Sequence, residues 1–120
     1  MSKRIVLVGH CGPDAWALKT AVERAAPGAE VTNVQSSADL GSLLEEADLL
    51  LVNRVLDGDF GTGNGVELIG NLNTNVATML VSNFTDAQAA AEAAGAKPGF
   101  GKSDLYAEET TARIQAALEE

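Results

Sequence analysis

Short apolar runs recur along the chain, each bounded by glycine or by polar residues. Three of them, at residues 5–8, 49–52 and 79–81, the last within a strand predicted at 76–82, lack the polar and apolar alternation of a half-exposed strand. Such runs are typical of strands buried on both faces of a parallel sheet. Val31 and Val34 alternate with polar residues and predict a weaker strand at 30–35. A fifth strand is expected near Phe100, where Pro98 makes the pattern least regular.

Between these strands, apolar residues recur at the spacing of amphipathic helices. Pro13 and Asp14 open the first helix, which ends before Pro27. The remaining helices are predicted after Ser36 or Ser37, at 66–72, at 85–94, and after a cap by Ser103 or Asp104. Repeated strand and helix alternation with right-handed crossovers predicts an α/β fold, a three-layer doubly wound parallel sheet with helices on both faces.

Composition narrows the class of protein further. A length of 120 residues with 46% hydrophobic content predicts one domain, spanning 1–120. Eight Lys and Arg against 17 Asp and Glu give a net charge of −9, so nucleic acid and anionic membranes are not expected partners. With one cysteine and no long apolar segment, the expected location is the cytoplasm.

Candidate chemistry is expected at one edge of the sheet, because open parallel sheets bind ligands beyond the carboxyl ends of their strands. The segment 9–12 follows strand one, 53–64 follows strand three, 82–83 follows strand four and 102–103 follows strand five. Four of the ten residues at 56–65 are glycine, which predicts an irregular loop that is mobile or contacts a partner.

These positions resemble the receiver family of two-component response regulators over essentially the whole chain. That family ends strand three in Asp, strand four in Ser or Thr, and strand five in Lys. Asn53, Ser82 and Lys102 occupy those places, and Gly95-Ala96 resembles the family's stretch before the Lys. The resemblance implies a five-stranded flavodoxin-like fold with strand order 2-1-3-4-5.

The departures from the family pattern determine the expected function. Asn53 has no carboxylate, and an amide does not form an acyl phosphate. The family's magnesium-binding acidic pair falls at Gly9-His10 or at His10-Cys11, and neither alternative supplies a carboxylate. We therefore expect a degenerate receiver that is not phosphorylated, has no catalytic residue and needs no cofactor.

Other acidic residues lie within reach of the same edge. Asp14, Asp57 and Asp59 are possible loop ligands, and the Asp-Gly-Asp stretch faintly resembles a calcium loop. Gly61 and Thr62 break the required spacing, so helix capping and solvated turns are the preferred interpretation and no metal site is predicted. Lys102 is expected to be solvated, to pair with Asp57 or Asp59, or to bond the Asn53 oxygen.

The dipeptide His10-Cys11 supports an alternative function. A thiol just before a helix N-terminus has its thiolate favoured, so Cys11 would be reactive, whereas a lone cysteine is more often a small buried group. The first hypothesis is a protein-interaction or homodimerisation module. The alternative is a small-molecule, redox or metal sensor using His10 and Cys11. An enzyme is not expected, because the chain has a single histidine and lacks a nucleophile elbow and a dinucleotide glycine pattern.

Overall fold

The computed structural model describes residues 3–72 and 74–119, and their core is a five-stranded parallel sheet. The strand order is β2-β1-β3-β4-β5, which confirms the order implied by the resemblance. Every neighbouring pair is parallel, as the continuous apolar runs predict. The strands are β1 (Arg4–Val8), β2 (Glu30–Val34), β3 (Leu49–Asn53), β4 (Ala77–Val81) and β5 (Lys97–Phe100).

Five α-helices in this part of the chain connect the strands and cover both faces of the sheet. The helices are α1 (Gly12–Ala25), α2 (Ser37–Leu43), α3 (Gly65–Asn71), α4 (Thr85–Ala93) and α5 (Glu108–Leu118). Helices α1 and α5 pack on one face, and α2, α3 and α4 pack on the other. The predicted three-layer architecture is therefore confirmed.

Strand β1 shows why the apolar runs are continuous. Ile5 and Leu7 pack in the core beneath α1 and α5, while Val6 and Val8 pack in the core of the opposite face. Side chains of a strand alternate between the two faces of a sheet, so a strand covered on both sides needs an apolar residue at every position. The edge strand β2 is largely exposed, which matches its weaker pattern.

Two predicted caps have different outcomes. Ser36 caps α2, since its side chain accepts a hydrogen bond from the Asp39 amide at 3.1 Å. The cap predicted at Ser103 or Asp104 is wrong, because both residues lie in a separate 3₁₀ turn and α5 begins only at Glu108. The Asp104 carbonyl instead accepts from the Thr110 hydroxyl at 2.7 Å, which ties this turn to the start of the helix. None of the described helices combines the length and apolarity that a membrane crossing requires.

Candidate functional site

The glycine-rich segment after β3 is packed against the carboxyl ends of β1 and β2. Leu56 and Phe60 bury their side chains in the core beneath α2, α3 and α4. The Asp57 amide donates to the Gly9 carbonyl at 2.8 Å, and the Asp59 amide donates to the Gln35 carbonyl at 2.8 Å. The segment is irregular, as predicted, and backbone hydrogen bonds and buried apolar side chains hold it against the strand ends.

Two glycines allow this close packing. A Cβ atom on Gly58 would lie 2.2 Å from the Gln35 carbonyl oxygen, and its φ of 123° is a conformation that other residues rarely adopt. A Cβ atom on Gly9 would lie 2.6 Å from Leu56 Cδ2, and the φ of Gly9 is 75°. The positive φ therefore favours glycine at the end of β1, where the family resemblance places an acidic residue in one alignment, and any larger residue there would displace the Leu56 side chain.

Asn53 ends β3, and its side-chain amide joins two neighbouring backbone segments. The Nδ2 group donates to the Val55 carbonyl at 2.7 Å and to the Gly9 carbonyl at 3.1 Å. Both partners are acceptors, so only the nitrogen of the amide fits this position. A carboxylate here would direct its lone pairs at two carbonyl oxygens. Asn53 thus acts as a hydrogen-bond donor at the place where the family carries its phosphate acceptor.

His10 is fully buried beneath this edge. Its Nε2 lies 2.8 Å from the Leu51 carbonyl, so Nε2 carries the proton, while Nδ1 has no hydrogen-bond partner among the described residues. Burial lowers the pKa of His10 to about 4, opposed by the hydrogen bond to Leu51, with Lys102 lowering the pKa further and Asp14 raising it. His10 is therefore a neutral imidazole near pH 7.

Cys11 differs from its neighbour in exposure. It is half-buried and occupies the N-cap position of α1, although its side chain does not cap the helix. Its thiol instead interacts with the Asp14 carboxylate in the first turn. The interpretation that both side chains pack under the loop therefore holds for His10 and only in part for Cys11.

Lys102 pairs with a residue that the sequence did not suggest. Its Nζ lies 2.5 Å from Asp14 Oδ2, so the predictions of a partner in Asp57, Asp59 or Asn53 are wrong. The hydrogen bond from Lys102 lowers the pKa of Asp14, partial burial opposes that effect, and the Cys11 thiol adds to it. The first turn of α1 supplies this partner because it starts at the same sheet edge at which β5 ends.

The remaining candidate acids do not form a cation site. The Asp57 carboxylate accepts from Gln35 Nε2 at 3.2 Å, and the Asp59 side chain is exposed. Across residues 3–72 and 74–119, no three His, Cys, Asp or Glu side chains are grouped so that they could hold a metal ion.

Ser82 has a structural role at the end of β4. It is buried, and its hydroxyl accepts a hydrogen bond from the Phe84 amide at 3.1 Å, which stabilises the turn into α4. The next residue, Asn83, accepts from the Ser103 amide at 3.2 Å and from the Ser103 hydroxyl at 2.8 Å. The turns after β4 and β5 are therefore joined by side chains.

A cavity of about 170 Å³ opens between the carboxyl ends of β3, β4 and β5. It brings together three of the positions identified by resemblance, while His10, Asp57 and Asp59 lie outside its lining. The cavity also contains a pair that sequence reasoning missed, since Arg54 Cζ lies 4.7 Å from the centroid of the Phe84 ring. The lining residues are Asn53, Arg54, Val55, Val81, Ser82, Asn83, Phe84 and Lys102.

Comparisons with known proteins identify the class of fold. No family model matches the sequence, and no curated protein matches it. The structure is similar to the receiver domain of a DNA-binding response regulator from Colwellia psychrerythraea, with a TM-score of 0.74, 20% identity, and 99% of this chain and 100% of that chain covered. A response regulator from Thermotoga maritima aligns over 100% of both chains with a TM-score of 0.72 and 18% identity.

A third similar structure is a receiver domain protein from Methanospirillum hungatei, with a TM-score of 0.69 and 20% identity. The alignment covers 99% of this chain and 98% of that one. The chain thus has the flavodoxin-like fold of response-regulator receiver domains.

Proposed function

We propose that this chain is a receiver-like signalling domain of the two-component type that is not phosphorylated at Asn53 and acts by binding a protein in the cytoplasm. The observation that carries the proposal is the pair of hydrogen bonds from the Asn53 amide to the Gly9 and Val55 carbonyls. This geometry requires a donor, and a phosphate-accepting carboxylate is not one near neutral pH.

The surroundings of Asn53 support the same proposal. Magnesium prefers oxygen ligands, yet the residues after β1 supply a glycine backbone, a buried neutral imidazole and a thiol. The Gly9 carbonyl already accepts hydrogen bonds from Asn53 and from the Asp57 amide. The charge of Lys102 is balanced by Asp14. The domain is therefore proposed to work without catalysis and without a cofactor.

Exposed apolar side chains support a protein as the partner. Val55 is 58% exposed and Phe84 is 60% exposed, and both line the cavity beside Asn53. Apolar groups gathered at one place on a surface mark sites of protein contact more often than single scattered ones. The partner is a second copy of this chain or a different protein.

Phosphate donors and mimics test the proposal. The chain is incubated with magnesium and acetyl phosphate, or with magnesium and beryllofluoride, and its intact mass, circular dichroism and gel-filtration volume are measured. All three are expected to stay unchanged, while a receiver domain that carries the strand-three Asp, treated in parallel, responds. Specific phosphorylation of this chain at any residue, with a change in its oligomeric state, would contradict the proposal.

A ligand sensor that uses His10 and Cys11 is the second candidate function. The observation that favours it is the buried, unpartnered Nδ1 of His10 next to a half-buried thiol. The rate of thiol alkylation and the binding of zinc are measured for the chain and for Cys11→Ser. A sensor requires fast alkylation or metal binding that the variant loses, and a slow thiol with no metal affinity excludes it.

A further inference from the structure

We propose that the cavity beside Arg54 receives one carboxylate side chain from an acidic segment of the partner protein, with apolar neighbours of that carboxylate covering Val55 and Phe84. This inference rests on the proposed function, because it assigns the chemistry of the protein partner. The cavity lies next to Asn53, and the inference depends on the charge of Arg54 and on the exposure of Val55 and Phe84.

The charge of Arg54 is not balanced by a neighbouring acid among the described residues. Among the described residues, no hydrogen bond or ion pair involves its guanidinium, whose contact is the face of the Phe84 ring. Arg4 and Arg113, in contrast, each pair with a glutamate. Lys102 adds no free charge to the cavity because it binds Asp14. In a chain of net charge −9, this cavity therefore presents an unpaired cation.

The cavity is small. Sites for drug-sized molecules and cofactors usually enclose about 300 to 1,000 Å³, whereas this cavity has a volume of about 170 Å³. The space is sufficient for a single side chain and too small for a nucleotide. The ligand is therefore better described as one group projecting from a larger molecule.

The Arg54 side chain is pre-organised by its contact with Phe84. A cation held over the face of an aromatic ring is attracted to that ring. The Phe84 ring thereby restricts the Arg54 side chain and lowers the entropy that is lost on binding. A guanidinium offers paired N–H donors that match the two oxygens of a carboxylate. Exposed Val55 and Phe84 on the rim then favour apolar residues on either side of the bound acid.

Selection of peptides tests this inference. Short random peptides displayed on phage are selected on the full chain, and the enriched peptides are synthesised and titrated by fluorescence anisotropy. We expect enrichment of Asp or Glu flanked by apolar residues. Replacing Arg54 with Gln, or Phe84 with Ala, should weaken the binding of the enriched peptide about tenfold or more.

The chain contains a matched control for the loss of the arginine. Arg24 also lies over an exposed aromatic ring, with its Cζ 5.4 Å from the centroid of Tyr106. Arg24→Gln removes the same charge and the same kind of contact away from the cavity, and it should leave peptide binding unchanged. Circular dichroism of each variant confirms that the fold is retained.

Three results would overturn the inference. These are the absence of any enriched peptide, binding that Arg54→Gln does not weaken, and inorganic phosphate that binds the cavity as tightly as the peptide and displaces it. The last result would indicate a site for a free anion. Acetyl phosphate labelling, measured separately, would contradict the proposed lack of phosphorylation while leaving a peptide result at Arg54 intact.

Discussion

The two halves of the sheet's carboxyl edge differ in how their polar groups are satisfied. In the closed half, above β1 and β2, residues 56–60 cover the strand ends, and Phe60 is buried. In the open half, between β3, β4 and β5, a cavity remains, and Phe84 on its lining is 60% exposed. Asn53 lies at the boundary, donating to the Gly9 carbonyl of the closed half while lining the cavity of the open half.

This difference explains which chemistry each half can support. Backbone amides and carbonyls of the closed half bond one another, so the Gly9 carbonyl is already occupied, and the buried His10 is inaccessible to water. The open half keeps two exposed apolar side chains and a guanidinium that forms no ion pair within the part of the chain that the structure describes. Stability is therefore expected to depend on the closed half, and partner binding on the open half.

Truncating one phenylalanine in each half should give the largest contrast. Phe60→Ala removes a buried ring and should lower the free energy of unfolding by about 3 to 5 kcal/mol. Phe84→Ala removes an exposed ring and its contact with Arg54, and it should cost at most about 1 kcal/mol. Urea denaturation measures both values. Equal losses for the two variants would contradict the division of the edge into closed and open halves.

Three glycines of the glycine-rich segment after β3 differ in how strongly the structure constrains them. Gly58→Ala forces a Cβ atom against the Gln35 carbonyl at positive φ and should cost about 3 kcal/mol. Gly61 has a φ of 79° but open space around it, so Gly61→Ala should cost about 1 kcal/mol. Gly63 has neither constraint, and Gly63→Ala should change stability by about 0.5 kcal/mol or less. Thermal unfolding measures the loss of stability of each variant relative to the parent chain. A different order of losses would show that the segment is not packed against the strand ends as described.

The buried imidazole makes the closed half sensitive to acid. Burial lowers the pKa of His10 from its ordinary value of 6.5 to about 4, so between these values the unfolded chain binds more protons than the native one. The part of the unfolding free energy that depends on neutral His10 is therefore fully present above pH 6.5, and it is lost as the pH falls towards 4. The free energy of unfolding should drop by about 2 kcal/mol between pH 7 and pH 5.

His10→Gln is the control for that pH effect. Glutamine retains an N–H group for the Leu51 carbonyl and does not titrate. The variant should be nearly insensitive to pH across the same range, since the lowered pKa of Asp14 affects stability only below its ordinary value of 3.8. A variant that loses as much stability as the parent chain between pH 7 and pH 5 would place the acid sensitivity elsewhere.

The sequence predicts the sheet well, because a strand covered on both faces must be apolar at every position. The continuous apolar run from Leu49 to Val52 predicts such a strand, and β1 has the same pattern. The positions of Asn53, Ser82 and Lys102 follow from the same argument, since parallel strands present their carboxyl ends at one edge, and all three line the cavity.

The partners of those side chains could not be predicted in the same way. Lys102 binds Asp14, which lies 88 residues earlier in the chain, and three nearer or better aligned candidates competed for it. The burial of Phe60 depends on the path of a glycine-rich segment, which the local sequence leaves open because glycine permits many backbone conformations. The contact of Arg54 with Phe84 joins two turns whose separation is set only by the folded sheet.

The central claim is that Asn53 acts as a donor to two carbonyls, and a pair of equivalent substitutions tests it most directly. Asn64, the N-cap of α3, is an acceptor, because its Oδ1 receives hydrogen bonds from the Val66 amide at 2.9 Å and the Glu67 amide at 3.3 Å. Asn53→Asp replaces a donor with a charged acceptor, whereas Asn64→Asp keeps an acceptor at a helix N-terminus.

The measurement is the free energy of unfolding of both variants at pH 7 and in acid. We expect Asn53→Asp to lose about 1.5 kcal/mol of unfolding free energy at pH 7, and we expect this loss to shrink in acid as the introduced carboxyl gains a proton to donate. Asn64→Asp should be as stable as the parent chain or slightly more stable at pH 7. An Asn53→Asp variant that is as stable as the parent chain at pH 7, and that becomes phosphorylated with magnesium and acetyl phosphate, would contradict the claim.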